Sequence, residues 1–174
     1  MTPMHDARVP SGRRAIYAGS FDPPTKGHLW MIETAAALFE EVYVAVGVNP
    51  DKAPTYTAEQ RMEMLQAISK PYGNVEVVSF GTDYLVDFAQ KMNADYIVRG
   101  IRTAQDYEYE RAMRQINADM HPAVGTVFLI PPREYIEVSS TLVKGLIGPS
   151  GWQKIVARYL PKEVLQLMLS WEKA

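Results

Sequence analysis

Cysteine is missing from all 174 residues, so disulfides, thiolate nucleophiles and thiolate zinc sites are excluded. Histidine is scarce, with three in the chain, and two of them, His5 and His121, have no companions that suggest a ligand set. No side-chain metal site is therefore expected. The sequence has no run of the roughly 18 or more apolar residues that would span a bilayer, and its opening stretch, "MTPMHDARVPSGRR", lacks the apolar core of a secretory signal. A cytoplasmic protein without a membrane partner follows as the expectation. A formal charge of only −2 argues against broad binding to nucleic acid, although it leaves room for a local basic pocket. The length suits one domain with a sizeable core. No repeat or linker interrupts residues 14–174, which read as that domain, behind a flexible Pro-, Arg- and Gly-rich tail over residues 1–13.

What is present is an alternation. Short β-branched or aromatic runs at residues 15–19, 41–48, 74–80, 95–100 and 126–131 are separated by segments of helical period at 28–40, 58–70, 83–93 and 105–120. "TAEQ", from Thr57 to Gln60, is a capping box announcing the second of these helices. The pattern predicts βαβ crossovers: an α/β, Rossmann-like, doubly wound domain with a five-stranded, mostly parallel sheet, followed by short C-terminal helices. Sites in such sheets lie beyond the carboxyl ends of the strands. The polar clusters "GSFDPPTKGH", "NPDKAPTY", "GTDYL" and "RGIRTAQDYEYE" follow the first four strands and so converge on that one edge. After the fifth comes "PREYIEVSSTLVK", which carries polar groups to the start of another helix.

Within "TKGH", a glycine and His28 open a helix, where free N–H groups and the positive dipole end attract anions. The competing account is that Thr25 or Asp22 caps the helix and His28 is a solvated first-turn residue. "VSSTLVK" sets Ser139, Ser140 and Thr141 at another helix start, suited either to phosphate oxygens or to a simple N-cap.

In order and spacing, "YAGSFDPPTKGH", "KAPTYTAEQR", "RGIRTAQDYEYE" and "VSSTLVK" closely resemble the phosphopantetheine adenylyltransferases of the nucleotidylyltransferase superfamily, from residue 14 to the C-terminus. The resemblance implies transfer of an adenylyl group from ATP to 4′-phosphopantetheine, giving dephospho-coenzyme A and pyrophosphate, reversibly and without a covalent enzyme intermediate. It implies His28 as the catalytic stabiliser of transition-state charge, with Lys52 and Arg99 holding the acceptor phosphate. Ser20 would stand between acceptor and nucleotide, and Leu85 would line the pantetheine arm. ATP would contact Phe21, Gly100, Ile101, Arg102 and Glu110. The segment Tyr135, Ile136, Glu137 and Val138 would border the nucleotide, while Ser139, Ser140 and Thr141 grip its distal phosphates. Mg²⁺ would arrive on the ATP phosphates rather than in a protein cage. Coenzyme A as a feedback ligand and a homohexamer belong to the same implication.

This chain departs from the family pattern at Ala18, where proline is usual, and at Lys26, where asparagine is usual; the latter is expected to add a cation near the phosphates. Other readings of single residues are a surface pair between Glu110 and Arg114, core packing for Leu85, solvated loop cations for Lys52 and Arg99, and interface or core positions for Tyr107 and Tyr109. Two other functions remain open at this point. One is adenylyl transfer to another acceptor, such as nicotinamide mononucleotide or glycerol phosphate; the other is a non-catalytic nucleotide-binding module.

Overall fold

The structure, a computed structural model, describes residues 13–48, 53–81 and 83–172. Five strands, β1 (Arg14–Gly19), β2 (Glu41–Gly47), β3 (Val75–Phe80), β4 (Tyr96–Gly100) and β5 (Gly125–Leu129), form one sheet in the order β3-β2-β1-β4-β5. Every pairing is parallel, so each connection crosses over through a helix, as the alternation predicts. The order reverses beside β1, between β2 and β4, and a crevice opens there at the carboxyl ends of the strands.

Successive side chains of the central strands enter two separate cores, because a strand turns its residues to opposite faces in alternation. Ala15, Tyr17, Val42, Val44, Val46 and Val98 pack with Met31, Ile32 and Ala35 of α1 (Lys26–Leu38) and with Met64, Leu65 and Ile68 of α2 (Ala58–Ser69). The same face is completed by α5 (Ser140–Leu146), α6 (Trp152–Val156) and α7 (Lys162–Trp171) through Val143, Trp152, Val156, Val164 and Met168. Ile16, Ala18, Tyr43, Ala45 and Ile97 face the other way, onto Val86 and Ala89 of α3 (Leu85–Lys91). By contrast α4 (Ala104–Met120), a helix of 17 residues, buries only Glu110. Tyr107 and Tyr109 are 44% and 62% exposed, so neither belongs to the core.

Element limits differ from the sequence reading by a residue or two at most ends. The helix expected at residue 28 begins at Lys26, because Thr25 is its cap; the one expected at 83 begins at Leu85. Apart from Arg13, whose carbonyl already accepts the N–H of Glu40 at 3.0 Å, the tail expected over residues 1–13 lies outside the described residues. Among the described residues, no helix is long and apolar enough to cross a membrane.

Candidate active site

A cleft of about 320 Å³ occupies the crevice. The end of β1 supplies Tyr17 through Ser20, the start of α1 supplies Thr25, Gly27 and His28, and the end of β4 supplies Arg99, Gly100 and Arg102. The far wall is Tyr135 with Val138 through Thr141, leading into α5. Three of the sequence clusters thus meet at one place. Lys52 lies outside the described residues.

In "TKGH" the cap is Thr25 rather than Asp22, and His28 is bound into that cap rather than solvated. Thr25 is fully buried and caps α1, its Oγ1 accepting the N–H of His28 at 3.4 Å, and the His28 ring returns the bond, Nδ1 accepting the Thr25 N–H at 2.9 Å. Histidine here closes a capping box whose last position is usually Glu or Gln. Since a backbone N–H only donates, Nδ1 carries no proton, and neutral His28 bears its proton on Nε2. Burial, followed by the nearby charge of Arg102, lowers the His28 pKa from 6.5 to about 4. At neutral pH the cleft therefore has an uncharged ring with its outer nitrogen as donor.

Beneath His28 lies Phe21, which is 1% exposed and packs edge-on against both Tyr17 and His28, with ring centroids at 5.3 and 5.1 Å. Its ring supports the site from below rather than lining it. Gly19 allows this packing, because a Cβ there would stand 3.1 Å from the Phe21 ring. Phe21 itself adopts φ of 49°, a left-handed conformation that an aromatic residue takes only when its surroundings enforce it.

Arg99 donates through Nη1 to the Ala18 carbonyl at 3.0 Å and through Nη2 to Glu110. Burial opposes its charge, but the Glu110 carboxylate outweighs that and raises the guanidinium pKa. Glu110 is accordingly the partner of Arg99 rather than of Arg114, and its carboxylate stands behind the cleft wall instead of on it. Arg102 is held at the first turn of α4 by Asp106, at 3.0 Å from its N–H and 3.3 Å from its Nε.

Of the three hydroxyls, Ser139 caps α5, its Oγ accepting the Leu142 N–H at 3.1 Å, so its own proton is free; Ser140 spends its proton on the Pro23 carbonyl at 2.8 Å. Ser139 and Thr141 are left to donate into the cleft. Ile101 is buried, and neither it nor Ile136 or Glu137 lines the cleft. Leu85 opens α3 and is half-buried against the second core.

Lys26 requires a correction. Its Nζ turns away from the cleft to the carbonyls of Ala157 and Arg158, at 3.3 and 3.0 Å, where the last turn of α6 leaves acceptors unpaired. It adds no cation among the cleft-lining groups.

Two groups have roles that the sequence reading did not show: Asp22, read there only as a possible helix cap, and Arg61. Asp22, 5% exposed, accepts the N–H groups of Thr55 and Tyr56 at 3.0 and 2.9 Å and the Lys144 ammonium at 3.0 Å. Burial alone would raise its pKa, but these three donors together hold it below the usual carboxylate value. Arg61 is the other. Buried α2 residues Arg61, Met64, Leu65 and Ile68 fall at i, i+3, i+4 and i+7, so an arginine on an apolar stripe was the available signal.

A parallel sheet with a neutral histidine at a capped helix start, arginines at a neighbouring strand end and free hydroxyls opposite defines the nucleotidyltransferase class of α/β proteins. The model of the cytidylyltransferase-like family matches residues 16–146. Among curated relatives, phosphopantetheine adenylyltransferase of Chromobacterium violaceum is 57% identical over 158 residues, covering 91% of this chain and 96% of the relative. The enzyme of that name from Neisseria meningitidis is 56% identical over 158 residues, covering 91% and 93%. The chain belongs to the phosphopantetheine adenylyltransferases of the cytidylyltransferase-like family. Solved structures share the fold at lower identity. Nicotinic acid mononucleotide adenylyltransferase of Plasmodium falciparum, complexed with NaAD, superposes with a TM-score of 0.67 at 15% identity, covering 91% of this chain and 95% of that one. A lipopolysaccharide core biosynthesis protein of Thermoplasma volcanium gives 0.54 at 18%, covering 68% and 96%.

Proposed function

We propose that the cleft binds ATP against the β4 end and the Tyr135–Thr141 wall, and brings the phosphate of 4′-phosphopantetheine in line with the ATP α-phosphorus. The reaction is adenylyl transfer, the activity of the family to which the chain belongs. A bond forms between an oxygen of the acceptor phosphate and the α-phosphorus, the bond to the pyrophosphate oxygen breaks, and dephospho-coenzyme A and pyrophosphate leave. The acceptor is already an anion near neutral pH, so neither a general base nor an enzyme nucleophile is needed. Catalysis must come from aligning two polyanions and stabilising the charge that gathers on the α-phosphoryl oxygens.

The observation that carries this reading is the His28 geometry. A ring fixed with Nε2–H outward and kept uncharged acts as a hydrogen-bond donor to developing negative charge and has no basic nitrogen facing the substrate. Arg99 and Lys52 are assigned to the acceptor phosphate, Ser20 between the two substrates, Arg102 with Gly100 to ATP, and the Ser139 and Thr141 hydroxyls to its distal phosphates. Hydroxyl and guanidinium donors suit phosphate oxygens rather than a metal ion, so Mg²⁺ is assigned to the ATP phosphates, where it would neutralise their charge. Leu85 stands for the pantetheine arm. Coenzyme A is assigned as a feedback ligand of the same cleft, and the cytoplasm is the expected compartment. A homohexamer is the expected assembly, supported by the bare face of α4, where Tyr109 and Ile116 are 62% and 51% exposed, and by Ile130 just after β5, 73% exposed.

The test is pyrophosphate release from ATP and Mg²⁺ with a panel of acceptors. Phosphopantetheine should support turnover, nicotinamide mononucleotide and glycerol phosphate much less, and dephosphorylated pantetheine none, because it lacks the attacking anion. Dephospho-coenzyme A and pyrophosphate should regenerate ATP. Turnover with nicotinamide mononucleotide alone would overturn the acceptor; ATP binding without turnover of any acceptor would overturn the reaction.

A further inference from the structure

Arg61, on the buried stripe of α2, is 4% exposed. Its Nε donates to the carbonyls of Tyr56 and Thr57 at 3.1 and 3.3 Å, and its Nη1 donates to those of Ser20 and Gly47 at 2.7 and 3.1 Å. One guanidinium thus joins the loop after β1, the end of β2 and the entry to α2. An aliphatic residue at this stripe position would extend the core with Met64, Leu65 and Ile68, whereas a buried guanidinium is costly unless acceptors meet its donors. The acceptors it takes are all at the crevice edge of the sheet.

Three of these bonds bear on the reaction. Ser20 lines the cleft, and the residue after it, Phe21, is held at a φ of 49°. The turn is gripped on every side: Arg61 takes the Ser20 carbonyl, Asp22 takes the Thr55 and Tyr56 N–H groups and Lys144, and Ser140 takes the Pro23 carbonyl. Gly47 and Tyr56 are the flanks of the connection that carries Lys52, and both rest on the same guanidinium.

We propose that Arg61 is a positioning residue for the acceptor half of the reaction, fixing Ser20 against the end of β2 and the entry to α2 in the geometry that receives the acceptor phosphate. The proposal rests on the assignment of Ser20 to the place between acceptor phosphate and nucleotide. The experiment is Arg61→Met, which keeps an unbranched apolar side chain as far as the position of Nε without its donors, together with Arg61→Lys, which keeps the charge but has one nitrogen and cannot span four carbonyls. Folding is checked by circular dichroism, turnover by pyrophosphate release and ATP affinity by calorimetric titration. In Arg61→Met, kcat/KM for phosphopantetheine should fall on the order of 10²-fold, the scale set by misplacing reacting groups by about 1 Å, while the ATP dissociation constant stays within about 3-fold. Arg61→Lys should show the same split to a smaller degree, which decides the matter if the methionine variant does not fold. Parental kcat/KM for the acceptor in a folded variant, or equal losses for acceptor and ATP, would overturn the proposal. Failure of the parent protein itself to use phosphopantetheine overturns instead the assignment on which it rests.

Discussion

His28→Gln separates two consequences of one hydrogen bond. Glutamine keeps the capping box, as Gln60 does for Thr57 at the start of α2, but it cannot titrate. In the parent protein, the folded state holds the ring at a pKa of about 4 against 6.5 for an exposed histidine. Between those values the unfolded chain takes up a proton that the folded chain refuses. The contribution to stability is therefore fully present above pH 6.5 and is lost as pH falls toward 4. The gap corresponds to about 3 kcal/mol in all, of which about 2 kcal/mol should disappear between about pH 7 and about pH 5. Urea unfolding of the parent and of His28→Gln at those two values measures it, since every other titrating group is shared. The parent should lose about 2 kcal/mol more than the variant. Turnover supplies the second reading: with no base to deprotonate, the parental rate should be flat through neutrality, and His28→Ala, which removes both cap and donor, should lower kcat on the order of 10²-fold or more with little change in ATP affinity. An identical acid slope in parent and glutamine variant would refute the neutral, capped ring. A rate that follows a single deprotonation near neutrality and disappears with His28 would refute its role as donor.

Lys26→Asn restores the residue usual in the family and should leave KM for ATP within about 2-fold, at a stability cost of under about 1 kcal/mol for the lost carbonyl contacts. A KM raised about tenfold would return Lys26 to the phosphates. For Arg99 and Glu110, a double-mutant cycle with alanine at each position, read by urea unfolding, should give a coupling energy of about 2 kcal/mol, because the pair is mostly buried and removing either partner strands the other. A coupling below about 0.5 kcal/mol would place the pair with ordinary surface contacts.

The strands and their crossovers were legible because burial on both faces makes a parallel strand read as an apolar run, and Val42 to Val46 or Ala15 to Ala18 leave no other use for such a segment. The edge on which the site lies was legible for the same reason: once the strands are placed, the ends that carry polar residues are placed too. Helix starts were less so. The box at Thr57 and Gln60 is plain in the sequence, whereas at Thr25 the sequence offers a cap but hides the reciprocal bond, because the closing residue is a histidine that also suits a phosphate seat. Capping and catalysis compete for the same atoms only if His28 must serve them with one nitrogen. It has two.

The destinations of the long cations were not legible, and the reason is physical. A lysine or arginine side chain reaches several residues away from its own Cα, and in the interior it goes wherever unpaired carbonyls or a carboxylate lie closest. Those acceptors come from segments far apart in the chain: Lys26 meets Ala157 and Arg158, Lys144 meets Asp22, and Arg61 meets Ser20 and Gly47. Local sequence places Lys26 beside a phosphate motif, which misleads, and Arg61 on a core stripe, which gives its burial but not its partners. The carbonyls at the end of α6 draw the first away from the cleft, while the carbonyls at the ends of β1 and β2 draw the second up to the cleft's edge. What separates a substrate-binding cation from a structural one in this fold is thus whether the backbone nearby still has acceptors to offer. Arg99 stands between the two cases, one nitrogen on the Ala18 carbonyl and another on Glu110, with its remaining face turned to the cleft.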